Sequence, residues 1–417
     1  MVSSTESSIT NIDSIFAGLE AINLAHPLQE MPVITDEPKI PGYLSAANEK
    51  AEVRYATKDT GGQGFNTNRN LAKVKALAEF LERLCLSNPP TEEERFLMSR
   101  YEPDQAFIDP TKFFCYSEEQ VENRNQILNR IRNETFRWWP ARDLSGKKYL
   151  VPAQLVFLSN RFDNEFSIRA EMITTGAALG QLNNNHALEA GFLESVERDT
   201  YIHAYLTRKT LAKITDLPEE SQELVDYLHR YKLEPHIFDA ASDLNVPTVI
   251  TITLDRTGIG PAVSVGARST FNYDDAIKQA LLESIQCRRV SRLTPSRKLP
   301  KEEEITSMDD RFIYWNSLER ISDLEFWLNT NKTVSYEKLK RQNTTFDEAV
   351  DVIKAKGYDI LVADATLPEV RDGGFRALKV MAPELHPLYL DERAKALHSV
   401  HYGAIKDDKI LKPQPFT

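Results

Sequence analysis

Three stretches of the chain carry acidic residues whose types and spacing could bind a cation. In each stretch a small residue and a Leu precede a Glu, two residues follow, and then come a Glu or Gln and a nearby Arg. The members are Glu79, Glu82 and Arg83 in the first stretch, Glu194, Glu197 and Arg198 in the second, and Glu283, Gln286 and Arg288 in the third. Side chains three residues apart project from one face of a helix. The spacing therefore predicts three helices that each present a pair of oxygen-bearing side chains.

For any one of these helices, a solvated acidic face is the commoner interpretation. The threefold occurrence favours a second interpretation, in which three helices meet in one fold, because the copies are too far apart for a solenoid. Five Glu and one Gln that converge would repel one another unless a cation lay among them. Ligands that offer only oxygen favour Mg²⁺, which is typically shared with substrate phosphates.

Each acidic helix follows a turn of small residues that could position it. Before the first helix this turn contains Gly61, Gly62 and Gly64. Backbone N–H groups of such a turn can hold phosphate, although turns need glycine for other reasons as well. No Walker A loop is present.

The remaining pattern predicts a mixed α/β (α+β) fold. Helices are expected over 70–86, 219–232 and 346–356, and strands over 149–158, 247–255 and 359–365. Residues 91–142 read as mostly helical, with the pair Trp138 and Trp139 as core packing. Residues 1–50 are interpreted as an N-terminal extension with one short helix near 15–22, and 295–312 as a charged surface loop.

Composition argues against several classes of protein. The net charge of −11 disfavours a nucleic-acid or membrane-surface binder, and no apolar run is long enough for a signal peptide or membrane helix. Cys85, Cys115 and Cys287 have no metal or redox spacing, and so sparse a count suits a reducing cytoplasm.

The last residues, 411–417, include Pro413 and Pro415 and end in Phe416 and Thr417. A disordered end is the default for a chain terminus. Because proline stiffens the chain, the alternative is a finger that is placed into a site.

Together the three motifs resemble the YcaO family, in which they occur as Ser-Ala-Leu-x-Glu-x-x-Glu-Arg, Glu-x-x-Glu-Arg-Asp and Ala-x-x-Glu-x-x-Gln-x-Arg. This chain has Lys-Ala-Leu-Ala-Glu-Phe-Leu-Glu-Arg at 75–83, Gly-Phe-Leu-Glu-Ser-Val-Glu-Arg-Asp at 191–199 and Ala-Leu-Leu-Glu-Ser-Ile-Gln-Cys-Arg at 280–288. The tail and the turn at 383–388 are similar to those of the azoline-forming branch, the D proteins of thiazole/oxazole-modified microcins and related peptides.

The resemblance implies a YcaO-type fold, with repeated strand–helix units whose acidic helices converge on an ATP and Mg²⁺ site. It implies an extension, 1–50, and a YcaO domain, 51–417, with subregions 51–145, 146–295 and 296–417. The implied activity is that of an ATP-dependent peptide cyclodehydratase. Such an enzyme phosphorylates a backbone amide oxygen after a Cys, Ser or Thr side chain has added to the amide, and an azoline results.

The resemblance also assigns roles to residues. The expected Mg²⁺ ligands are Glu79, Glu82, Glu194, Glu197 and Glu283, and the expected ATP-binding residues are these five with Arg83, Arg198, Gln286 and Arg288. For each Arg, an ordinary intrahelical salt bridge is the alternative. The terminal carboxylate of Thr417, placed by Pro413 and Pro415, would act catalytically near the amide as a proton acceptor or positioner.

Four positions depart from the family pattern. Lys75 stands where Ser is usual, Gln63 where Lys is common, His186 where some members have Glu, and Thr417 where Pro ends the tail. Lys58 could substitute for the missing Lys at 63. We expect these departures to re-tune the ATP site.

Other activities stay open at this point. A relative that forms thioamides or amidines is the first alternative, a nucleotide-binding accessory protein without catalysis is the second, and purely structural acidic helices are the third. Expected partners are a precursor peptide, a separate leader-binding C protein or similar module, a flavin dehydrogenase in the same complex, and a second copy of the chain in a homodimer.

Overall fold

The computed structural model describes residues 4–55, 60–169, 174–295, 298–406 and 412–416, with side chains from residue 12 onward. Its α-helices are α1 (Ser4–Ala21), α2 (Glu49–Tyr55), α3 (Arg69–Ser87), α4 (Arg124–Asn133), α5 (His186–Leu206), α6 (Glu219–His229), α7 (Tyr273–Leu293), α8 (Met308–Trp315), α9 (Glu325–Leu328), α10 (Tyr336–Leu339), α11 (Phe346–Ala355) and α12 (Pro368–Asp372). None of the helices in these ranges combines the length and apolar character that a membrane span requires.

The strands form three larger sheets and one short pair. They are β1 (Gln29–Glu30), β2 (Gly42–Ala46), β3 (Gly61–Phe65), β4 (Leu97–Ser99), β5 (Phe136–Asp143), β6 (Lys148–Pro152), β7 (Ala177–Gln181), β8 (Ala212–Thr215), β9 (Leu233–Asp239), β10 (Thr248–Asp255), β11 (Val263–Ser269), β12 (Thr333–Ser335), β13 (Leu361–Asp364), β14 (Phe375–Met381), β15 (His398–Ser399) and β16 (Gly403–Ala404). One sheet has the order β1-β2-β3, a second β11-β10-β9-β8-β12, and a third β4-β5-β13-β14-β7 with β6 on β5. Only β8 and β12 pair in parallel among these described strands.

Each acidic helix packs on the strand that immediately precedes it. In the first and third units a strand glycine sits directly against the helix backbone. A Cβ on Gly62 would lie 2.3 Å from the carbonyl oxygen of Ala76, and one on Gly266 would lie 2.3 Å from that of Ala280. Any larger residue would therefore push the strand and helix apart.

The three strand–helix units are arranged in a ring. Helix α3 contacts β7 as well as β3, α5 contacts β11 as well as β7, and α7 contacts β3 as well as β11. The ring is closed by a hydrogen bond of 2.7 Å from Lys75 Nζ on α3 to Gln279 Oε1 on α7. The acidic faces of the three helices are thereby held around a common space.

Most of the predicted elements are present, but three predictions are wrong. Gly61, Gly62 and Gly64 lie on strand β3 and not in a turn, residues 295–312 include the start of α8, and residues 91–142 are not mostly helical. The expected helices over 70–86, 219–232 and 346–356 are α3, α6 and α11 within a few residues. Residues 91–142, however, contain α4 alone as an α-helix, and their end is strand β5. Trp138 and Trp139 lie on β5, whose aromatic residues favour a strand, and both are buried in the core as expected.

The segment before residue 51 is built into the same sheet as the first unit. Strand β2 pairs with β3 from Gly42 to Ala46, so the predicted division at residues 50 and 51 runs between two strands of one sheet. The buried carboxylate of Glu37 also receives two hydrogen bonds from Arg288, at 2.9 and 2.8 Å. Arg288 donates further to Asp255 at 2.8 Å.

Replacing Arg288 by Met is expected to lower the free energy of unfolding by about 3–5 kcal/mol, because it leaves two buried carboxylates with fewer partners. Arg256→Met is the matched control, since the Arg256–Glu234 pair is exposed and should contribute less than about 1 kcal/mol. Urea denaturation followed by circular dichroism measures both. Equal losses in the two variants would contradict an anchoring role for Arg288.

Candidate active site

The first glutamate of each motif is held by a backbone N–H group of its own unit. Hydrogen bonds run from Gln63 N to Glu79, from Gly176 N to Glu194 at 2.8 Å, and from Ala267 N to Glu283 at 2.8 Å. An N–H donor stabilises the ionised carboxylate and fixes one of its oxygens. The other oxygen of Glu79 pairs with Arg83, and that of Glu194 pairs with Arg198.

The second glutamate of the middle motif lies deeper. Glu197 is almost completely buried, and its Oε2 accepts a hydrogen bond of 2.8 Å from Ser269 N at the end of β11. Its Oε1 has no hydrogen-bond partner among the described residues. Glu79 and Glu194 keep 27% and 21% of their side-chain surface exposed, so the group of carboxylates is reachable from solvent.

Burial and repulsion between neighbouring carboxylates raise the pKa of several of these glutamates. Burial, and then Glu194 and Glu79, raise the pKa of Glu82 to about 8. Burial, and then Glu197, raise the pKa of Glu283 to about 7. Burial is also the main cause of the raised pKa of Glu197. Since residues from all three helices affect one another, the five glutamates form one acidic cluster.

Two arginines partly neutralise the acidic cluster. Arg83 contacts Glu79 at 2.6 Å, and Arg198 contacts Glu194 at 3.1 Å and Glu197 at 3.4 Å. Both arginines form intrahelical salt bridges, which were predicted as the alternative to contacts with phosphate. Arg198 nevertheless retains Nε and one terminal nitrogen without hydrogen-bond partners in the described part of the chain. These buried donors suit an additional anionic group.

Three further cations lie around the acidic cluster, namely Lys75, Arg268 and Lys379. Burial and the nearby Arg268 lower the pKa of Lys75 to about 8, while Glu283 and Glu79 oppose that shift. Burial also lowers the pKa of Lys379 to about 7, against the attraction of Glu194 and Glu82. The motifs contain neither Arg268 nor Lys379. The available signal was a lysine, Lys379, within the largely apolar strand β14, whose other charged residue is Arg376.

Arg288 is a correction to the predicted ATP-binding set. Its side chain donates to Glu37, Asp255 and the carbonyl of Pro261, and to none of the five glutamates.

Gln286 lies one turn after Glu283 and is partly exposed. His186 is exposed at the start of α5, and Lys58 and Thr417 lie outside the described residues.

The tail reaches the acidic cluster through Phe416. The guanidinium carbon of Arg198 lies 4.4 Å from the centre of the Phe416 ring, and the Tyr201 ring lies 4.8 Å from it. Pro413 and Pro415 are buried, and the carbonyl of Pro413 accepts a hydrogen bond from Tyr205. Residues 412–416 are therefore packed in place, which agrees with the interpretation of the tail as a stiff finger.

Fully buried Gln414 is the anchor of this tail. Its amide nitrogen donates to the carbonyl of Tyr389 at 3.2 Å, and its amide oxygen accepts from Phe416 N at 2.7 Å. Its backbone carbonyl accepts a hydrogen bond from Arg311, which also pairs with Glu392 at 2.7 Å. This network fixes the direction in which Phe416 points.

The donor set fits Mg²⁺ shared with phosphate. Within the described ranges, no three His, Cys, Asp or Glu residues lie close enough together to hold a metal alone. Mg²⁺ commonly takes one or two carboxylates and completes its shell with water and phosphate oxygens. Glu197 Oε1 and Arg198 Nη1 lie 3.4 Å apart without forming a hydrogen bond, so a cation and an anion from outside can still engage them.

Comparison with known proteins agrees with this chemistry. A family model described as YcaO cyclodehydratase, ATP- and Mg²⁺-binding, matches residues 62–386. None of the curated proteins compared with the chain matches it.

Solved structures match over most of the chain. YcaO from Methanopyrus kandleri, bound with AMPPCP and Mg²⁺, is 18% identical with a TM-score of 0.68, over 95% of each chain. A heterocyclase in complex with substrate and cofactor is 16% identical with a TM-score of 0.68, over 89% of this chain and 52% of that one. The Escherichia coli microcin synthetase complex McbBCD with pro-MccB17 bound contains a chain that is 15% identical with a TM-score of 0.63, over 94% of this chain and 96% of that one. The chain thus has the fold of these structures and spans about half the length of the heterocyclase chain.

Binding of Mg²⁺ and ATP is expected to release protons. With the pKa of Glu82 raised to about 8 and that of Glu283 to about 7, the metal-free site retains protons at pH 7. A bound cation favours the ionised form, so protons leave and the apparent affinity rises with pH between about 6 and 9. Calorimetry at pH 7 in two buffers of different ionisation enthalpy measures the release. Glu82→Gln should release fewer protons, and identical enthalpies in both buffers for the unmodified chain would contradict the prediction.

Proposed function

The chain belongs to the YcaO family, and from that premise we propose that it is an ATP-dependent peptide cyclodehydratase. ATP and Mg²⁺ are its cofactors. The proposed substrate is a ribosomally synthesised precursor peptide, in which Cys, Ser or Thr residues become azolines. The enzyme would phosphorylate the backbone amide oxygen and so turn a poor leaving group into a good one.

The acidic cluster is the observation that carries this proposal. Phosphoryl transfer needs mainly positioning and cations on the phosphates, and little covalent chemistry from the protein. In the proposed arrangement Glu79, Glu82, Glu194, Glu197 and Glu283 hold Mg²⁺ and orient ATP. Arg83 and Arg198 brace the carboxylates, and the free donors of Arg198 contact phosphate. Gln286 completes the pair of oxygen-bearing side chains that the third acidic helix contributes to the site.

The tail is proposed to act beside the transferred group. Phe416 rests on Arg198, whose guanidinium also contacts Glu194 and Glu197. The next residue, Thr417, would present its carboxylate near the amide, where it accepts or positions a proton. Pro413 and Pro415 support this role by stiffening the segment between the Gln414 anchor and the site.

A partner protein is proposed to deliver the peptide. The McbBCD structure is that of a complex with pro-MccB17 bound, and the chain matched in it has about this chain's length. We therefore propose a separate leader-binding protein, with a flavin dehydrogenase in the same assembly and a homodimer of this chain.

Phosphate release that depends on a precursor peptide tests the proposal. The chain, its partner and a Cys/Ser/Thr-rich peptide encoded beside it should release phosphate and lose one water per ring, as measured by mass spectrometry. Glu194→Gln should lower both by at least about 100-fold, since it removes a charge on which phosphoryl transfer depends. Glu189→Gln, one turn earlier on α5, is the control and should retain activity. ATP binding without peptide-dependent phosphate release would instead indicate an accessory protein.

Phe416→Ala is expected to slow turnover about 5- to 30-fold, because a cation–π contact worth about 1–2 kcal/mol holds the tail on Arg198. Affinity for Mg²⁺ and ATP should change little. Phe166→Ala is the matched control, because Arg130 lies over Phe166 at 4.7 Å in a contact of the same kind elsewhere in the chain. Unchanged turnover in Phe416→Ala would exclude a role for tail placement.

A further inference from the structure

Asp199 ends the second motif and has no part in the acidic cluster or in the contacts of the tail described above. It is fully buried on α5, one residue after Arg198. One of its carboxylate oxygens accepts a hydrogen bond of 2.7 Å from the backbone N–H of His386, and the other lies 2.9 Å from His401 Nδ1. Asp199 therefore joins α5 to two C-terminal segments, the turn at 383–388 and the loop between β15 and β16.

His401 bridges two carboxylates. Its side chain is 2% exposed, and its second ring nitrogen, Nε2, lies 3.0 Å from Asp243 Oδ1. An ionised carboxylate can only accept hydrogen bonds, so each ring nitrogen must carry a proton to make both contacts. The Asp199–His401–Asp243 bridge is therefore complete only when the imidazole is positively charged.

The surroundings of the His401 ring favour this charged form. Burial lowers the pKa of His401, but the hydrogen bonds and charges of Asp199 and Asp243 outweigh burial and raise it overall. The neighbouring His203 adds no positive charge at neutral pH, because burial lowers its pKa to about 4. The titratable groups around the ring in the described part of the chain are Asp199 and His203 on α5, Asp243 before β10, Lys356 and Tyr358 after α11, and Tyr402.

The same bridge supports the segment on which the tail is anchored. The backbone N–H of His401 donates a hydrogen bond of 2.9 Å to the carbonyl of Glu384, in the turn that Asp199 also holds. Tyr389 follows this turn, and its carbonyl accepts the hydrogen bond that anchors Gln414. The bridge therefore connects α5, which carries Arg198, to the support of the tail.

We propose that the Asp199–His401–Asp243 bridge positions the tail against the acidic cluster, and that turnover requires His401 in its charged form. This inference rests on the proposed function and adds two positioning residues, Asp199 and His401, which act through the tail. A bridge that only stabilises the fold is the alternative that the experiment must exclude.

The bridge predicts an alkaline limit to turnover. The pKa of His401 is raised above its ordinary value of about 6.5, so the bridge is intact below that value and is lost as the pH rises through the raised pKa. Loss of the proton leaves one carboxylate without its donor. Since affinity for Mg²⁺ and ATP is expected to rise with pH, turnover and affinity should change in opposite directions at alkaline pH.

The pH profile of turnover at saturating Mg²⁺ and ATP tests this role. His401→Gln should lower turnover about 10- to 100-fold near pH 6.5, the range for a misplaced reacting group, and should remove the alkaline limit. Its affinity for Mg²⁺ and ATP should stay within about twofold of that of the unmodified chain, because the acidic cluster is intact.

Asp243→Asn keeps the proposal falsifiable if His401→Gln fails to fold. The side chain of Asp243 is 58% exposed, so its replacement does not disturb the core. Loss of this carboxylate should move the alkaline limit to lower pH by about one unit and leave maximal turnover unchanged. Asp364→Asn is the matched control, because Asp364 is 46% exposed, pairs with Arg371 and should not move the limit.

Hydrogen exchange followed by mass spectrometry reads the position of the tail without any substrate. The N–H of Phe416, which donates to Gln414, should exchange about tenfold faster in His401→Gln than in the unmodified chain at the same pH. Asp243→Asn should show the same acceleration at alkaline pH, and Asp364→Asn should show none. An alkaline limit unmoved in Asp243→Asn, or tail exchange unmoved in both bridge variants, would overturn the assignment. Because the exchange measurement needs no peptide, it can support the bridge even if no peptide supports phosphate release, so the two proposals can fail separately.

Discussion

Repulsion among buried carboxylates is the constraint on which the rest of this structure depends. Burial and the charges of neighbouring glutamates raise the pKa of Glu79, Glu82, Glu197 and Glu283, which come from all three helices. The protein offsets the cost with backbone N–H donors, with Arg83 and Arg198, and by retaining protons on Glu82 and Glu283. Each of these devices is incomplete, since Glu197 Oε1 accepts no hydrogen bond from the described residues and lies 3.4 Å from Arg198. The remaining negative charge gives the site its affinity for a divalent cation.

Such a cluster persists only on a rigid frame. Strand glycines allow α3 and α7 to approach their own strands closely, and the Lys75–Gln279 hydrogen bond joins the first helix to the third. Both terminal segments are tied to the frame by buried arginines. Arg288 holds the segment around Glu37, and Arg311 holds the tail at Gln414.

Much of this arrangement could be predicted from sequence because it depends on local patterns. Spacing within a helix determines which glutamates share a face, and the threefold occurrence indicated that the faces meet. The motif could not distinguish Arg83 and Arg198 from Arg288, because all three follow a glutamate at similar spacing and only tertiary packing sends Arg288 to Glu37. Strand β5 was misread as part of a mostly helical stretch, whereas it pairs with β4, β6 and β13 and its aromatic residues are buried. Lys379 comes from strand β14, whose place beside α5 depends on residues far away in the chain.

The hydrogen bond that closes the ring has a consequence for biosynthesis. It joins residues 204 apart in sequence, so the first acidic helix leaves the ribosome well before its partner exists. At a synthesis rate of about 5–20 residues per second, the third acidic helix emerges on the order of 10–40 seconds after the first. Until then the glutamates of the first helix remain hydrated, because the packing that buries them has not formed. The active site is therefore among the last parts of the chain to form, and a nascent chain that lacks α7 cannot bind nucleotide in the way the finished protein does.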